Sequence, residues 1–211
     1  MRILGTVVRL QVQASSLKVG DSPRRYDPSP LQVVHALTVT PGGVIGVTGE
    51  ADGLIDVHHQ AHPRSKNSGG KNGISFSFTS HYDAMRERFG PHLGDGIAGE
   101  NVLIELADDA RLVTLDELTD GVAFIGDERP PLALERVIVA APCVEFSRFA
   151  LRFPEDRKPD TTITEAIRFL GDGIRGFYGA YEGEPAVLRV GDRLTIPDCP
   201  PLPRLAEEVF A

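Results

Sequence analysis

GDGIAGENVLIEL, residues 94–106, decides the fold. Its first six residues satisfy the G-x-G-x-x-G spacing of dinucleotide-binding loops, and GDGIRG at residues 171–176 satisfies it a second time. In a nucleotide fold those glycines follow a strand and open a helix, so that the helix N-terminus faces the pyrophosphate. Here the order is reversed. Upstream, SHYDAMRERF at residues 80–89 sets Tyr82, Met85 and Phe89 at helical spacing and stops at Gly90-Pro91, while Asn101 to Leu106 downstream is an apolar, strand-like run. The second copy follows Ile163, Ala166, Ile167 and Leu170, again at helical spacing, and precedes a strand-like stretch from Arg175 to Tyr181. Both copies therefore read as glycine-rich turns from helix to strand, two similar corners of one structure.

Working outward, further strand-like segments run from Ile3 to Val12, Leu31 to Val39, Val44 to Val47, Ile74 to Phe78, Leu132 to Ala140 and Ala186 to Ile196, most of them separated by turn clusters. Ser80 is a plausible N-cap for the first helix, and Thr162 with Glu165 has the spacing of a capping box for the second. Strands dominate and no regular βαβ alternation appears. The expected fold class is mainly β: a closed or nearly closed β-barrel with a few short peripheral helices. The barrel is expected over residues 1–197, followed by a proline-rich C-terminal tail over residues 198–211 with a weak helical pattern at its end.

The chain has 211 residues and a formal net charge of −8, which argues against nucleic acid as the main ligand because phosphate binding draws on clustered Lys and Arg. Two cysteines make no disulfide framework. A Cys143–Cys199 bridge is one alternative, but the usage reads as a reducing, cytoplasmic compartment. The N-terminus MRILGTVVRLQVQ carries Arg9 within a short apolar run, so neither a signal peptide nor a membrane span is expected.

Three clusters are candidates for chemistry. Cys143 stands after Pro142 at the end of an apolar strand, between Glu145 and Arg148 a few residues on, and reads either as a small buried hydrophobe or as a reactive thiol that Arg148 helps to polarise. SKNSGGKNG at residues 65–73 lacks the hydroxyl residue that follows Lys in a P-loop, yet Arg64, Lys66 and Lys71 concentrate positive charge that suits an anionic group. His58 and His62 have i, i+4 spacing, but Pro63 argues against a helix and no third zinc ligand is evident; a solvated loop or a pocket wall is expected.

The order of GVTGE at 46–50, ISFSFTSHYDAMRERFG at 74–90, GIAGENVLIE at 96–105, APCVEF at 141–146, RGFYGAYEGE at 175–184 and LRVGDRL at 188–194 resembles the MOSC domain, the C-terminal module of molybdenum cofactor sulfurases. Departures are Gly49-Glu50-Ala51, where the family commonly has a Gly-Asp-His pattern, and Val139-Ala140-Ala141, where some members carry an arginine before Pro-Cys. The resemblance implies a β-barrel and a role in binding molybdenum cofactor or carrying sulfur, with Cys143 as metal ligand or persulfide carrier. Glu100, Asn101, Lys71 and Arg148 are the expected cofactor-binding partners. Pyridoxal phosphate enters only through a cysteine desulfurase acting in trans. The enzymatic alternative is a molybdenum-dependent reductase of N-hydroxylated compounds fed by a separate redox partner; the non-catalytic alternative is a binding module for an anionic small ligand in which Cys143 only packs.

Overall fold

The structure, a computed structural model, describes residues 1–48, 53–65, 72–107 and 111–198. Its strands and helices follow in the order β1 (Arg2–Gln13), β2 (Lys18–Val19), β3 (Arg25–Tyr26), β4 (Leu31–Val33), β5 (Ala36–Thr40), β6 (Gly43–Val47), β7 (Leu54–Ile55), β8 (Ile74–Phe78), α1 (Thr79–Phe89), β9 (Val102–Leu106), a 3-10 turn (Leu115–Glu117), β10 (Val122–Ile125), β11 (Leu132–Leu134), β12 (Arg136–Val139), α2 (Val144–Ala150), α3 (Thr161–Gly171), β13 (Phe177–Ala180), β14 (Ala186–Arg189) and β15 (Arg193–Ile196). The main sheet runs β11-β10-β15-β1-β9-β8-β13-β12, with β4 also paired to β1. Its two outermost strands, β11 and β12, are separated in sequence by Glu135 alone, so the sheet curls until its edges reach one chain segment and the barrel is nearly closed. All its pairs are antiparallel except β8 with β9, and that pair has α1 as the crossover that parallel strands require.

Alternation along the strands divides the core. Ile74, Phe76 and Phe78 of β8 and Val102 and Ile104 of β9 point into the barrel, where Leu37 and Val39 of β5, Val44 of β6 and Leu188 of β14 join them from the smaller β14-β5-β6-β7 sheet. Leu103 faces the other way, into a second cluster with Tyr82, Met85, Phe146, Ala150 and Leu170. That outer cluster holds the helices. At seven residues α2 is too short to stand alone, and burial of Phe146, worth about 1.5–3 kcal/mol, anchors it.

The two glycine-rich corners are built alike. Gly96 and Gly173 have φ of +83° and +89°, and Gly99 and Gly176 have +92° and +106°. In each corner the N–H of the last glycine bonds back to the carbonyl of the middle one, at 3.0 Å for Gly99 and 2.7 Å for Gly176. They launch β9 and β13 along opposite sides of β8. A Cβ on Gly176 would fall 2.6 Å from the Phe76 carbonyl oxygen, so both conformation and space demand glycine there.

The helix starts differ from the sequence reading. Phe78, with no side-chain bond, precedes α1, and Ser80 lies buried inside the first turn. Asp160 caps α3 by accepting the Ile163 N–H at 3.0 Å, in place of the Thr162–Glu165 box. The expected strand from Leu132 to Ala140 breaks at Glu135 into β11 and β12, and α2 was not anticipated at all. Glu50 and Ala51, Lys66 and Lys71 of the basic loop, Cys199 and most of the tail from residue 199 lie outside the described residues.

Candidate functional site

β12 delivers its last residues to the second glycine corner, where the Ala140 N–H donates to the Gly176 carbonyl at 2.9 Å. The chain then turns through Pro142 into α2, and Cys143 is the N-cap. Its backbone is extended, with φ −123° and ψ 158°, and its sulfur accepts the Phe146 N–H at 3.4 Å. Among the described residues the thiol is free, and it is only partly buried. It opens into a cleft of about 190 Å³ whose other walls include Lys18, His58, Arg64, Arg175 and Tyr178. Of the basic loop, Arg64 thus reaches the wall beside Cys143.

Arg175 is the residue that reading the sequence missed. It belongs to the second glycine corner, and its guanidinium donates to the Ala98 carbonyl of the first corner at 3.1 Å, tying the two together. It lines both the Cys143 cleft and a narrow niche that contains Glu100. The signal was present, since Arg175 begins the RGFYG segment, but proximity to Cys143 arises only when β12 and β13 pair.

Glu100 is buried, and Tyr82 donates its hydroxyl to Oε2 at 2.8 Å, while Oε1 has no partner among the described residues. Burial is the main influence and pushes its pKa up to about 7; its own backbone amide, the Tyr82 hydroxyl and the charges of Arg175 and Arg9 hold it from rising further. The folded value lies above the ordinary one of 4.5, so the associated stability is complete below pH 4.5 and is lost as pH rises through 7. Glu100→Gln, which has no charge to bury, is therefore expected to gain roughly 2–3 kcal/mol on the parent between pH 5 and pH 8. Urea unfolding at both pH values checks this, and a constant difference would refute the raised pKa.

Asn101 fixes the floor. Its Oδ1 accepts from Ser75 N at 3.0 Å and Ser75 Oγ at 2.9 Å, and its Nδ2 donates to Asp56 Oδ2 at 2.9 Å and to the Gln11 carbonyl at 3.2 Å. Gln11 and Gln13 of β1 donate to the Gly96 and Gly99 carbonyls at 2.7 and 2.6 Å, so the first corner is bound to the barrel wall by side chains as well as by the ladder. Asp56, fully buried, also accepts the His58 N–H at 2.8 Å and faces His58 Nδ1 at 3.1 Å, which sets that imidazole in the cleft wall.

Arg148 lies elsewhere. It projects from α2 into a neighbouring cleft, which shares Tyr26 with the first. Of the five expected site residues, Cys143 and Glu100 are linked through Arg175, Asn101 supports them from beneath, Arg148 faces the second cleft, and Lys71 lies outside the described residues. No group of three or more His, Cys, Asp or Glu among the described residues is arranged to hold a bare metal ion. No helix among them is long and apolar enough to cross a membrane.

A family model described as the MOSC domain matches residues 64–195, which include both glycine corners and the whole segment that carries Cys143. The chain belongs to the MOSC domain family. Among solved structures, the YuaD protein from Bacillus subtilis is similar with a TM-score of 0.55 at 14% identity, over 92% of this chain and 96% of that one. A hypothetical protein is similar with a TM-score of 0.52 at 13% identity, over 91% of this chain and 68% of that one. At these identities the likeness concerns the fold. No curated protein matches the chain. Membership in the MOSC domain family associates the protein with molybdenum cofactor and sulfur chemistry.

Proposed function

We propose that this MOSC domain binds molybdenum cofactor in the Cys143 cleft, with the Cys143 thiolate as a ligand to the metal. The observation that carries the reading is that a cysteine occupies the N-cap of α2. Ser, Thr, Asp or Asn would satisfy the helix N–H better, so local helix stability does not account for the choice of a thiol. Soft sulfur suits molybdenum, and the cofactor brings its own dithiolene donors, so a single protein ligand is sufficient. The cations on the wall, Lys18, Arg64 and Arg175, suit the cofactor's phosphate and the negative charge of a thiolate.

When bound, the cofactor supplies atom transfer coupled to a two-electron redox change. The chain's own contribution is positioning and charge. Cys143 would hold the metal, and Arg175, on the same cleft wall, would offset negative charge there. Glu100, whose burial pushes its pKa up to about 7, lines the niche behind Arg175. The test is molybdenum and pterin analysis of protein made in a host that synthesises the cofactor. About one molybdenum and one pterin per chain are expected, and protein free of both would overturn the proposal.

The partial exposure of the thiol favours a second use, as a sulfur carrier. In this reading a cysteine desulfurase, the pyridoxal-phosphate partner, passes the terminal sulfur of its own persulfide to Cys143 and keeps its cysteine as a thiol. Incubation with a desulfurase and cysteine is expected to add one sulfur to the peptide containing Cys143, removable by a thiol reductant. A chain that gains no sulfur while a known acceptor is labelled would remove this use.

A further inference from the structure

The second cleft, about 430 Å³, shares Tyr26 with the Cys143 cleft and is lined by Arg24, Arg25, Arg148 and Arg152. Two carboxylates, Glu145 and Glu155, accompany these four arginines, so the site carries excess positive charge in a protein of net charge −8. Arg24 pairs with Glu145 at 3.2 Å and Arg25 with Glu155 at 3.7 Å. Among the described residues neither Arg148 nor Arg152 has an ion pair, and Arg148 Nε is buried with no hydrogen-bond partner. Both ring nitrogens of His92, on the same wall, are buried without partners as well. The remaining wall is aromatic: Tyr26 and Phe149 pack with ring centres 5.2 Å apart, and Phe153 lies beside them with the Arg157 guanidinium over its ring at 3.8 Å.

The C-terminus of α2 adds an independent observation. The Phe153 N–H donates to the Arg148 carbonyl at 2.9 Å and the Arg152 N–H to the Phe149 carbonyl at 3.0 Å, the paired bonds that end a helix through a left-handed residue. That residue is Arg152, with φ of +54°. Glycine is the favoured occupant of such a position, and an L-residue with a long side chain is strained there. Residues held in this conformation cluster at ligand clamps and active sites, and here the left-handed turn ends the helix on the wall of the arginine cleft.

We propose that this second cleft binds an organic diphosphate of the nucleoside diphosphate class, with the phosphates on Arg148 and Arg152 and the flat organic part against Phe149. Planar guanidinium groups match phosphate oxygens in pairs. The site is separate from the cofactor reading at Cys143, and failure of either leaves the other standing.

Calorimetric titration of the full chain at low salt with ADP tests it, alongside pyrophosphate and three variants. ADP is expected to saturate the parent and to bind more tightly than pyrophosphate, because the latter leaves the aromatic wall unused. Arg148→Gln and Arg152→Gly should each weaken ADP by about tenfold, the loss of one charged phosphate contact. Arg152→Gly should also melt no lower than the parent, because glycine relieves the left-handed strain; weaker binding with undiminished stability cannot arise from damage to the fold. Cys143→Ser should bind ADP as the parent does. Absence of saturation, equal affinity in parent and both arginine variants, or pyrophosphate binding as tightly as ADP would overturn the proposal.

Discussion

Cys143→Ser is expected to lose molybdenum retention by at least tenfold while folding at least as stably as the parent. The first half follows from ligand chemistry: a serine hydroxyl does not ionise near neutral pH and is a hard donor, so the soft bond to the metal is lost. The second half follows from the helix. Oγ at position 143 can accept the Phe146 N–H that Sγ now accepts at 3.4 Å, and serine is among the preferred N-caps. The variant thereby separates chemistry from structure. Metal analysis, with thermal unfolding of the same preparations, makes the measurement. Equal molybdenum content in variant and parent would remove Cys143 as a ligand.

Asn101→Leu is expected to cost about 3–5 kcal/mol of stability, measured by urea unfolding, or to prevent folding. Leucine keeps the branching and the number of side-chain heavy atoms but is bulkier, leaves the Ser75 N–H without its side-chain acceptor and removes one donor from the fully buried carboxylate of Asp56. Orphaned buried polar groups cost roughly 1–3 kcal/mol each, and more when charged. The damage should spread to the site, because Asp56 also holds His58 in the cleft wall. A loss below about 1 kcal/mol would show that the polar floor is dispensable.

Much of the architecture was legible because its cues are local. The order helix, glycine turn, strand is written twice in consecutive residues, and both copies adopt matching left-handed turns on opposite sides of β8. The strand from Ile74 to Phe78 and the run ending at Leu106 appear where alternation and apolar runs place them. Helix α2 escaped notice because a seven-residue helix leaves little periodic signal and owes its existence to Phe146 inserting into the outer cluster. Once that helix forms, it turns Arg148 away from Cys143 and into the second cleft, reversing the neighbourhood that sequence distance suggests.

The site divides along the same line. Cys143 after Pro142 and Glu100-Asn101 after a glycine corner are read directly from the chain, since residue type and adjacency are properties of sequence. That Arg175 is the cation between Cys143 and Glu100, that Asn101 spends its amide on Ser75, Asp56 and Gln11, and that Glu100 titrates near pH 7 all belong to the folded state. Those properties arise from contact between groups far apart in the chain and from removal of water around them. Burial and the field of distant charges exist only after the strands have paired, so the sequence by itself names the chemical groups and tertiary structure decides which of them meet, and in what state of charge.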